Sequence, residues 1–387
     1  MKKQSILFMI INMNVGGTER ALLNMINEIP KDKYEITVLM LEKFGGFLSF
    51  IPDWVKVDYI DGYDQFKPLI KKPLHLIAFD YLRKLKFHYF FIYLILFIVS
   101  KMTKEKSLFY RYILRNYPKP SEEYDIAIAY AGPMDFISFF IAHKVKAKKK
   151  IQWIHFDVTK IGFNTRFAKK VYEYFYQVNV VSEEAKNCLV KLTPSLKNKI
   201  FVFPNLISKE MIIRQANISE GFKDNYNGIR ILTVGRLSFE KGQDIAIKAA
   251  AKLIKDGMNV RWYCIGDGIA IQEYERLIKK LNMKEHFLLL GSDSNPYPFM
   301  KQCDLYVQPS RHEGYCMTVA EAKIFNKMII CTNFTGAKEH MDDGKIGKIV
   351  PVNDPERLYK GIKEIIESNK LLFLDKDNLI KSPKTTN

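Results

Sequence analysis

The stretch CDLYVQPSRHEGYCMTVAEA, residues 303–322, decides how this chain is read. Cys303 to Pro309 is a short apolar run of the kind that forms a strand buried on both faces, and from Thr318 the pattern turns helical. Between the two, Glu313 and Glu321 stand eight positions apart, on either side of Gly314 and a short apolar run. The two carboxylates therefore straddle a strand-to-helix turn, the repeating unit of a parallel, doubly wound sheet.

Outward from that turn the same alternation recurs. Strands are predicted at Arg230–Val234, Val260–Ile265, Phe287–Leu290, Leu305–Gln308 and Met328–Cys331, with helices at Gln243–Lys255, Ile269–Leu281, Pro298–Gln302 and Thr318–Phe325. In the first half the predicted strands are Ser5–Asn12, Ile36–Leu41, Tyr124–Ala129, Lys150–His155 and Val178–Val181, with a helix over Thr18–Ile29 and a long irregular insert after the second strand. At 387 residues and 48% apolar content, the chain suits two domains of ordinary size. The expected fold class is α/β, with two Rossmann-like domains facing across a cleft. The expected domains are 1–205, with a basic and apolar insert at about 65–119, and 206–370, followed by a polar tail at 371–387. Ligands of such sheets bind beyond the carboxyl ends of the strands, so the loops there carry the function.

Composition narrows the field. The five cysteines are an odd set with no CxxC spacing, which fits a reducing cytoplasm rather than a zinc site or disulfide framework. MKKQSILFMII has only six consecutive apolar residues from Ile6, too few for a secretory signal, and reads as a first buried strand. The net charge of +18 is concentrated: residues 65–119 hold 12 Lys/Arg against two acidic residues, Asp80 and Glu105. No zinc finger, RNP signature or basic recognition helix accompanies it, so no nucleic-acid partner is expected.

Four loops carry candidate chemistry. Gly16 and Gly17 follow the first strand and open a helix, where backbone amides favour an anion; a tight structural turn explains them equally well. In GRLSFEKG, residues 235–242, Arg236 offers a planar fork and Lys241 a point charge, a combination suited to a diphosphate, although solvated surface charge is the ordinary alternative. At the helix start, the amides of Gly314, Tyr315, Cys316 and Met317 would face an anion. Glu321 stabilises a first helical turn in any case, but it also suits the vicinal hydroxyls of a ribose, leaving Glu313 free for the hydroxyls of a second polyol. Ribose, diphosphate and sugar together describe a nucleotide-sugar. His155, at the end of the strand IQWIHFD, is the fourth candidate, with Asp157 beside it; a histidine in apolar surroundings is more often structural.

GRLSFEKG followed downstream by EGYCMTVAE resembles the signature of the retaining glycosyltransferases of family four, glycosyl transferases group 1 of the bacterial surface-polysaccharide type, which share the GT-B fold. The resemblance runs from GGTER near the amino terminus through NFTGAKEH at 333–340. It implies an enzyme: a metal-independent, retaining hexosyltransferase that moves a hexose or N-acetylhexosamine from a nucleotide-sugar, with uridine as the nucleotide, to a lipid-linked saccharide in capsule or lipopolysaccharide synthesis. It implies Glu313, His155, Arg236 and Lys241 as catalytic residues, with His155 contacting the donor sugar rather than acting as general base. Donor binding falls to Gly16, Gly17, Arg236, Lys241, Glu313, Gly314, Tyr315, Cys316, Met317 and Glu321, and the nucleobase to Gly291, Ser292, Asn295 and Pro296. No cofactor or metal is implied; the DxD spacing at Asp375 and Asp377 lies in the polar tail. The sequence departs from the family where Tyr315-Cys316 replaces the usual Phe-Gly, and where Asn326-Lys327-Met328 replaces Gly-x-Pro. Two alternatives stay open: a catalytically silent GT-B partner of another transferase, and a sugar-phosphate epimerase or phosphorylase.

The insert carries a last expectation. Tyr89 to Val99 is eleven apolar residues without interruption, bracketed by Arg83, Lys84 and Lys86 before and Lys101, Lys104 and Lys106 after. A membrane span needs about 20 such residues. The segment is therefore either a core helix or an interfacial one; the cationic bracket favours the second, with an anionic membrane surface as partner and a peripheral position on the inner face of the cytoplasmic membrane.

Overall fold

The computed structural model describes residues 3–118, 122–132, 134–159, 162–341 and 346–368; the expected tail at 371–387 lies outside the described residues. The chain divides into two compact units, residues 1–14 with 26–204, and residues 15–25 with those from 205 onward.

The first unit is built on a seven-stranded sheet of β1 (Gln4–Ile10), β2 (Tyr34–Met40), β3 (Lys56–Tyr59), β4 (Glu123–Gly132), β5 (Lys146–Ile154), β6 (Gln177–Val180) and β7 (Ile200–Val202), in the order β3-β2-β1-β4-β5-β6-β7. Every pairing is parallel. A parallel sheet is covered on both faces, which is why β1 is buried without a break from Ile6 to Ile10 and why its sequence shows no alternation. The helices are α1 (Gly17–Glu28), α2 (Tyr63–Lys71), α3 (Leu74–Arg83), α4 (Phe87–Thr103), α5 (Ser107–Ile113), α6 (Asp135–His143), α7 (Thr165–Val171) and α8 (Glu183–Leu192). Most of α1 groups with the second unit. The insert expected to be irregular is thus four helices. Of these, α4 carries too few polar residues to show an amphipathic period, and the other three span ten residues or fewer, so periodicity did not reveal them.

The second unit has a six-stranded parallel sheet of β8 (Ile229–Val234), β9 (Val260–Ile265), β10 (Phe287–Leu289), β11 (Leu305–Gln308), β12 (Met328–Thr332) and β13 (Gly347–Val350), ordered β10-β9-β8-β11-β12-β13. Its helices are α9 (Lys209–Gln215), α10 (Gln243–Lys255), α11 (Ile271–Lys280), α12 (Tyr297–Gln302), α13 (Met317–Lys323), α14 (Ala337–His340) and α15 (Pro355–Glu367). One apolar cluster joins α10, α11 and α15 to one face of the sheet, and a second joins α9, α12 and α13 to the other. The strand order reverses between β8 and β11, the switch point where open α/β sheets form their crevice. Strands β3, β7 and β13 went unpredicted: they are three or four residues long, and β3 is largely exposed.

Candidate active site

The loops leaving β8 and β11 meet at that switch point. After β8 the chain makes a short turn over Phe239–Lys241, closed by Gly242 at φ +70. A Cβ at Gly242 would lie 2.1 Å from the Pro309 carbonyl oxygen, so only glycine allows the two loops to approach this closely. The approach brings Lys241 to Glu313: Nζ donates to both carboxylate oxygens, at 2.7 and 2.8 Å. Burial opposes the charge on Lys241, yet the adjacent Glu313 carboxylate holds its pKa above the ordinary lysine value. Glu313 is therefore not free, as the sequence reading had it. Ser310 Oγ also donates to its Oε1 at 2.7 Å, and Gln308 Nε2 donates to Ser310 Oγ at 2.9 Å.

The turn itself is pinned by Arg311, which sequence reasoning overlooked. Its guanidinium donates to both oxygens of Asp244 at 2.7 and 2.8 Å and to the Phe239 carbonyl at 2.7 Å, while its backbone N–H donates to the Glu240 carbonyl. A bidentate pair of this kind fixes direction as well as distance, and it orients the loop that presents Lys241. Arg236, on the same loop, is exposed. It lies near enough to Lys241 to disfavour that second positive charge, and near enough to Glu19 to oppose the upward push of burial on its carboxyl. A Cβ on Gly17 would meet Met317 Cγ at 3.7 Å, which places the start of α1 against the start of α13. Gly16 sits under the carboxylate of Glu19.

Glu321, on α13, is buried at 2% exposure and its pKa is raised, by burial first, with Arg20 pulling the other way. Tyr297 Oη donates to Glu321 Oε1 at 3.1 Å; Arg20 donates to Tyr297 Oη at 2.9 Å and to the Ser294 carbonyl at 2.7 Å. The arginine on α1 thus ties together Glu321 and the Gly291–Pro296 loop. Within that loop Gly291 has φ +80, and Asn295 donates its side-chain amide to the Gln215 carbonyl at 2.9 Å. Arg20 was visible in the motif GGTER, but nothing in sequence spacing reports a contact 277 residues away. Cys316 occupies a left-handed conformation, φ +60, ψ +75, where glycine would be unstrained. Tyr315 packs on His340 at 4.5 Å.

In the first unit, His155 is buried just beyond the end of β5, stacked with Trp153 at 6.1 Å and tilted against Tyr130 at 4.5 Å. Asp157 is buried too, and its Oδ1 accepts from the Thr159 N–H and hydroxyl at 2.8 and 2.7 Å. Arg83, Lys84, Lys86, Lys101, Lys104 and Lys106 are all exposed, around the two ends of α4. Among the described residues no helix is long and apolar enough to cross a membrane.

Residues 215–378 match the model of the family described as glycosyl transferases group 1. Through this domain the chain is similar to that family. It is similar to the N-acetylgalactosamine-N,N'-diacetylbacillosaminyl-diphospho-undecaprenol 4-alpha-N-acetylgalactosaminyltransferase of Campylobacter jejuni, at 30% identity over 55% of this chain and 58% of that one. It is also similar to the lipopolysaccharide core biosynthesis glycosyltransferase LpsE of Rhizobium meliloti, at 26% identity over 36% and 40%. The chain spans about half the length of the curated relatives it matches. Its fold is similar to that of Anabaena HepE, solved in complex with UDP and glucose, with a TM-score of 0.66 at 17% identity over 95% of this chain and 91% of that one. The fold is GT-B, two Rossmann-like α/β domains.

Proposed function

We propose that this protein is a retaining, metal-independent glycosyltransferase. It moves a hexose or N-acetylhexosamine from a UDP-sugar to a lipid-linked saccharide in cell-surface polysaccharide synthesis, as a peripheral protein of the inner face of the cytoplasmic membrane. The observation that carries the reading is the Lys241–Glu313 pair beside Arg236 at the switch point of the second sheet. The Campylobacter relative, whose name specifies a diphospho-undecaprenol-linked acceptor, supports the acceptor class, and the UDP and glucose bound to HepE support the donor class.

The chemistry follows from donor capacity. An ammonium has three protons; two are engaged by Glu313, and the third remains for a phosphate oxygen. Arg236 adds a fork for the same group. As the bond from anomeric carbon to phosphate breaks, negative charge grows on the diphosphate, and these two cations oppose it without reorganising. Glu313 retains one acceptor site beyond the bonds from Lys241 and Ser310, enough to orient a sugar hydroxyl. Glu321, held by Tyr297 and Arg20, takes the ribose, and the 291–296 loop the base. In this reading residues 206–370 hold the donor and residues 1–205, with His155, meet the acceptor and the transferring sugar.

Incubation with a panel of nucleotide-sugars tests the proposal. Slow release of UDP from one UDP-sugar, insensitive to a metal chelator, is expected. Binding without turnover across the panel would replace it with a catalytically silent partner of another transferase.

A further inference from the structure

The α3–α4 hairpin carries two features that the proposed transfer chemistry leaves unused. The first is a stripe. Along α4, Phe87, Phe91, Ile95, Ile98 and Met102 are 53%, 57%, 58%, 47% and 74% exposed. Their spacings of four, four, three and four put all five on one face of a 17-residue helix. The opposite face does the packing: Tyr93 and Leu96 are buried, Tyr93 stacks on Tyr81 at 5.2 Å, and Phe97 meets His75 at 5.4 Å. Leu76 and Phe79 of α3, and Leu85 in the connecting turn, extend the exposed apolar surface. As a whole this is an outward apolar face of a size and continuity that soluble surfaces rarely carry.

The second feature is a basic pocket of about 390 Å³ beside the stripe, between the α2–α3 connection and the last turns of α4. Lys71, Lys72, Lys101 and Lys106 line it together with Ser100 and Phe97. Lys72 is paired with Asp80 at 3.0 Å, Lys71 lies near Glu42, and Lys106 lies near Asp135. Among the described residues Lys101 and Lys106 form no ion pair within 4 Å. Lys84 and Lys86 sit at the amino end of α4, where the helix dipole disfavours positive charge, so helix stability does not account for them. Lys106 also leads inward. Asp135, whose carboxyl burial pushes up to about 7, opens α6 just past the carboxyl end of β4, and Gly132 of that strand accepts from the His155 N–H.

We propose that this hairpin is a membrane-docking surface: the α4 stripe enters the acyl boundary of an anionic bilayer while the Lys71, Lys72, Lys101 and Lys106 pocket receives a lipid-borne phosphate or diphosphate headgroup. An apolar face and a cationic cluster are each weak anchors alone, and stable peripheral binding takes two such signals together. The helix lies flat, because cations flank both of its ends. The choice of a lipid-borne ligand rests on the lipid-linked acceptor of the proposed function, and the inference names the surface that meets it.

Flotation of the full chain with vesicles at low salt tests this, using phosphatidylcholine alone against phosphatidylcholine mixed with phosphatidylglycerol. The wild-type chain floats with the mixed vesicles only. K71E/K101E/K106E weakens that partitioning by about a hundredfold, since each basic residue near an anionic surface contributes about fivefold. F91S/I95S/I98S weakens it at least tenfold while leaving inorganic pyrophosphate binding unchanged. Both triple variants alter exposed positions and keep the wild-type melting temperature. Failure of the wild-type chain to float, or flotation of both variants like wild type, overturns the inference. So does tight pyrophosphate binding without flotation, which would make the pocket a site for a free anion. UDP release from the donor, measured on the same preparations, separates the two readings: flotation without any release leaves the docking surface standing and removes the transferase.

Discussion

Around Lys241 and Glu313, the charged groups other than the exposed Arg236 are held by partners. Lys241 is bound by Glu313, Glu313 by Ser310 as well, Arg311 by Asp244, and Glu321 by Tyr297 with Arg20 behind it. Along α4 the reverse holds: five large apolar side chains face outward and the cations stand at the helix ends. The contrast has one cause. A charge taken out of water is costly unless it is paired, so a site of buried charges must be internally ordered before any ligand arrives. An apolar side chain left in water costs far less, so a surface stripe can wait for its partner without internal support. The first region is legible as chemistry from its bonds, the second from an exposed face that nothing in its own unit covers.

Four experiments bear on that contrast, and the largest effect belongs to Lys241. Lys241→Ala removes the proposed phosphate ligand and leaves Glu313 without its cation. Turnover should fall by about a thousandfold and stability by about 2 to 3 kcal/mol. Adding Glu313→Gln to it should recover part of the melting temperature and none of the activity. A single variant as stable and active as wild type would show that the pair is not an ordered site at all.

Glu313→Gln alone keeps the shape and removes the charge. Turnover should drop about a hundredfold while UDP affinity, measured by calorimetry, stays within about twofold. An equal loss of UDP affinity would erase the division of labour between Glu313 and Glu321.

A smaller effect is expected at the buried network. Arg20→Ala should weaken UDP binding about tenfold, and Tyr297→Phe somewhat less. Because burial raises the Glu321 pKa, its carboxylate protonates above the ordinary glutamate range as pH falls. UDP affinity should therefore decline through that window on acidification, and Glu321→Gln should flatten the profile. The contribution of this group to fold stability has the opposite sign: the protonated form is favoured in the folded chain, so it is present at low pH and lost as pH rises through the raised pKa.

The smallest effect sharpens the other side of the comparison. Ile95→Ser on the α4 stripe should change stability by less than about 0.5 kcal/mol. Phe136→Ala in α6, an equally apolar helix whose Phe136–Ala142 run is buried throughout, should cost about 3 to 5 kcal/mol. Comparable losses in chemical denaturation would mean that the stripe is part of a core after all.

Much of the second unit was legible in advance. Strands β9 and β11 and helix α10 have the bounds that the periodicity predicted, and β8 begins one residue earlier than predicted, since apolar runs bounded by turn residues leave little choice of element. The same reading singled out Arg236, Lys241 and Glu313 as candidates because charges in the loops after predicted strands are conspicuous, and Glu321 because it follows Glu313 by eight positions. It gave four helices the label of an insert, since α4 is apolar nearly all the way round and carries no period to detect.

Local patterning, together with turns whose backbone conformation only glycine adopts without strain, set the α/β class, the two sheets and the residue types at the switch point. Tertiary structure alone decided who meets whom. The Lys241–Glu313 pair spans 72 positions, Arg311–Asp244 spans 67 and Arg20–Tyr297 spans 277. It also decided which face of α4 turns outward. Side-chain partnership over such separations is set by strand order and loop approach, and no local propensity encodes it.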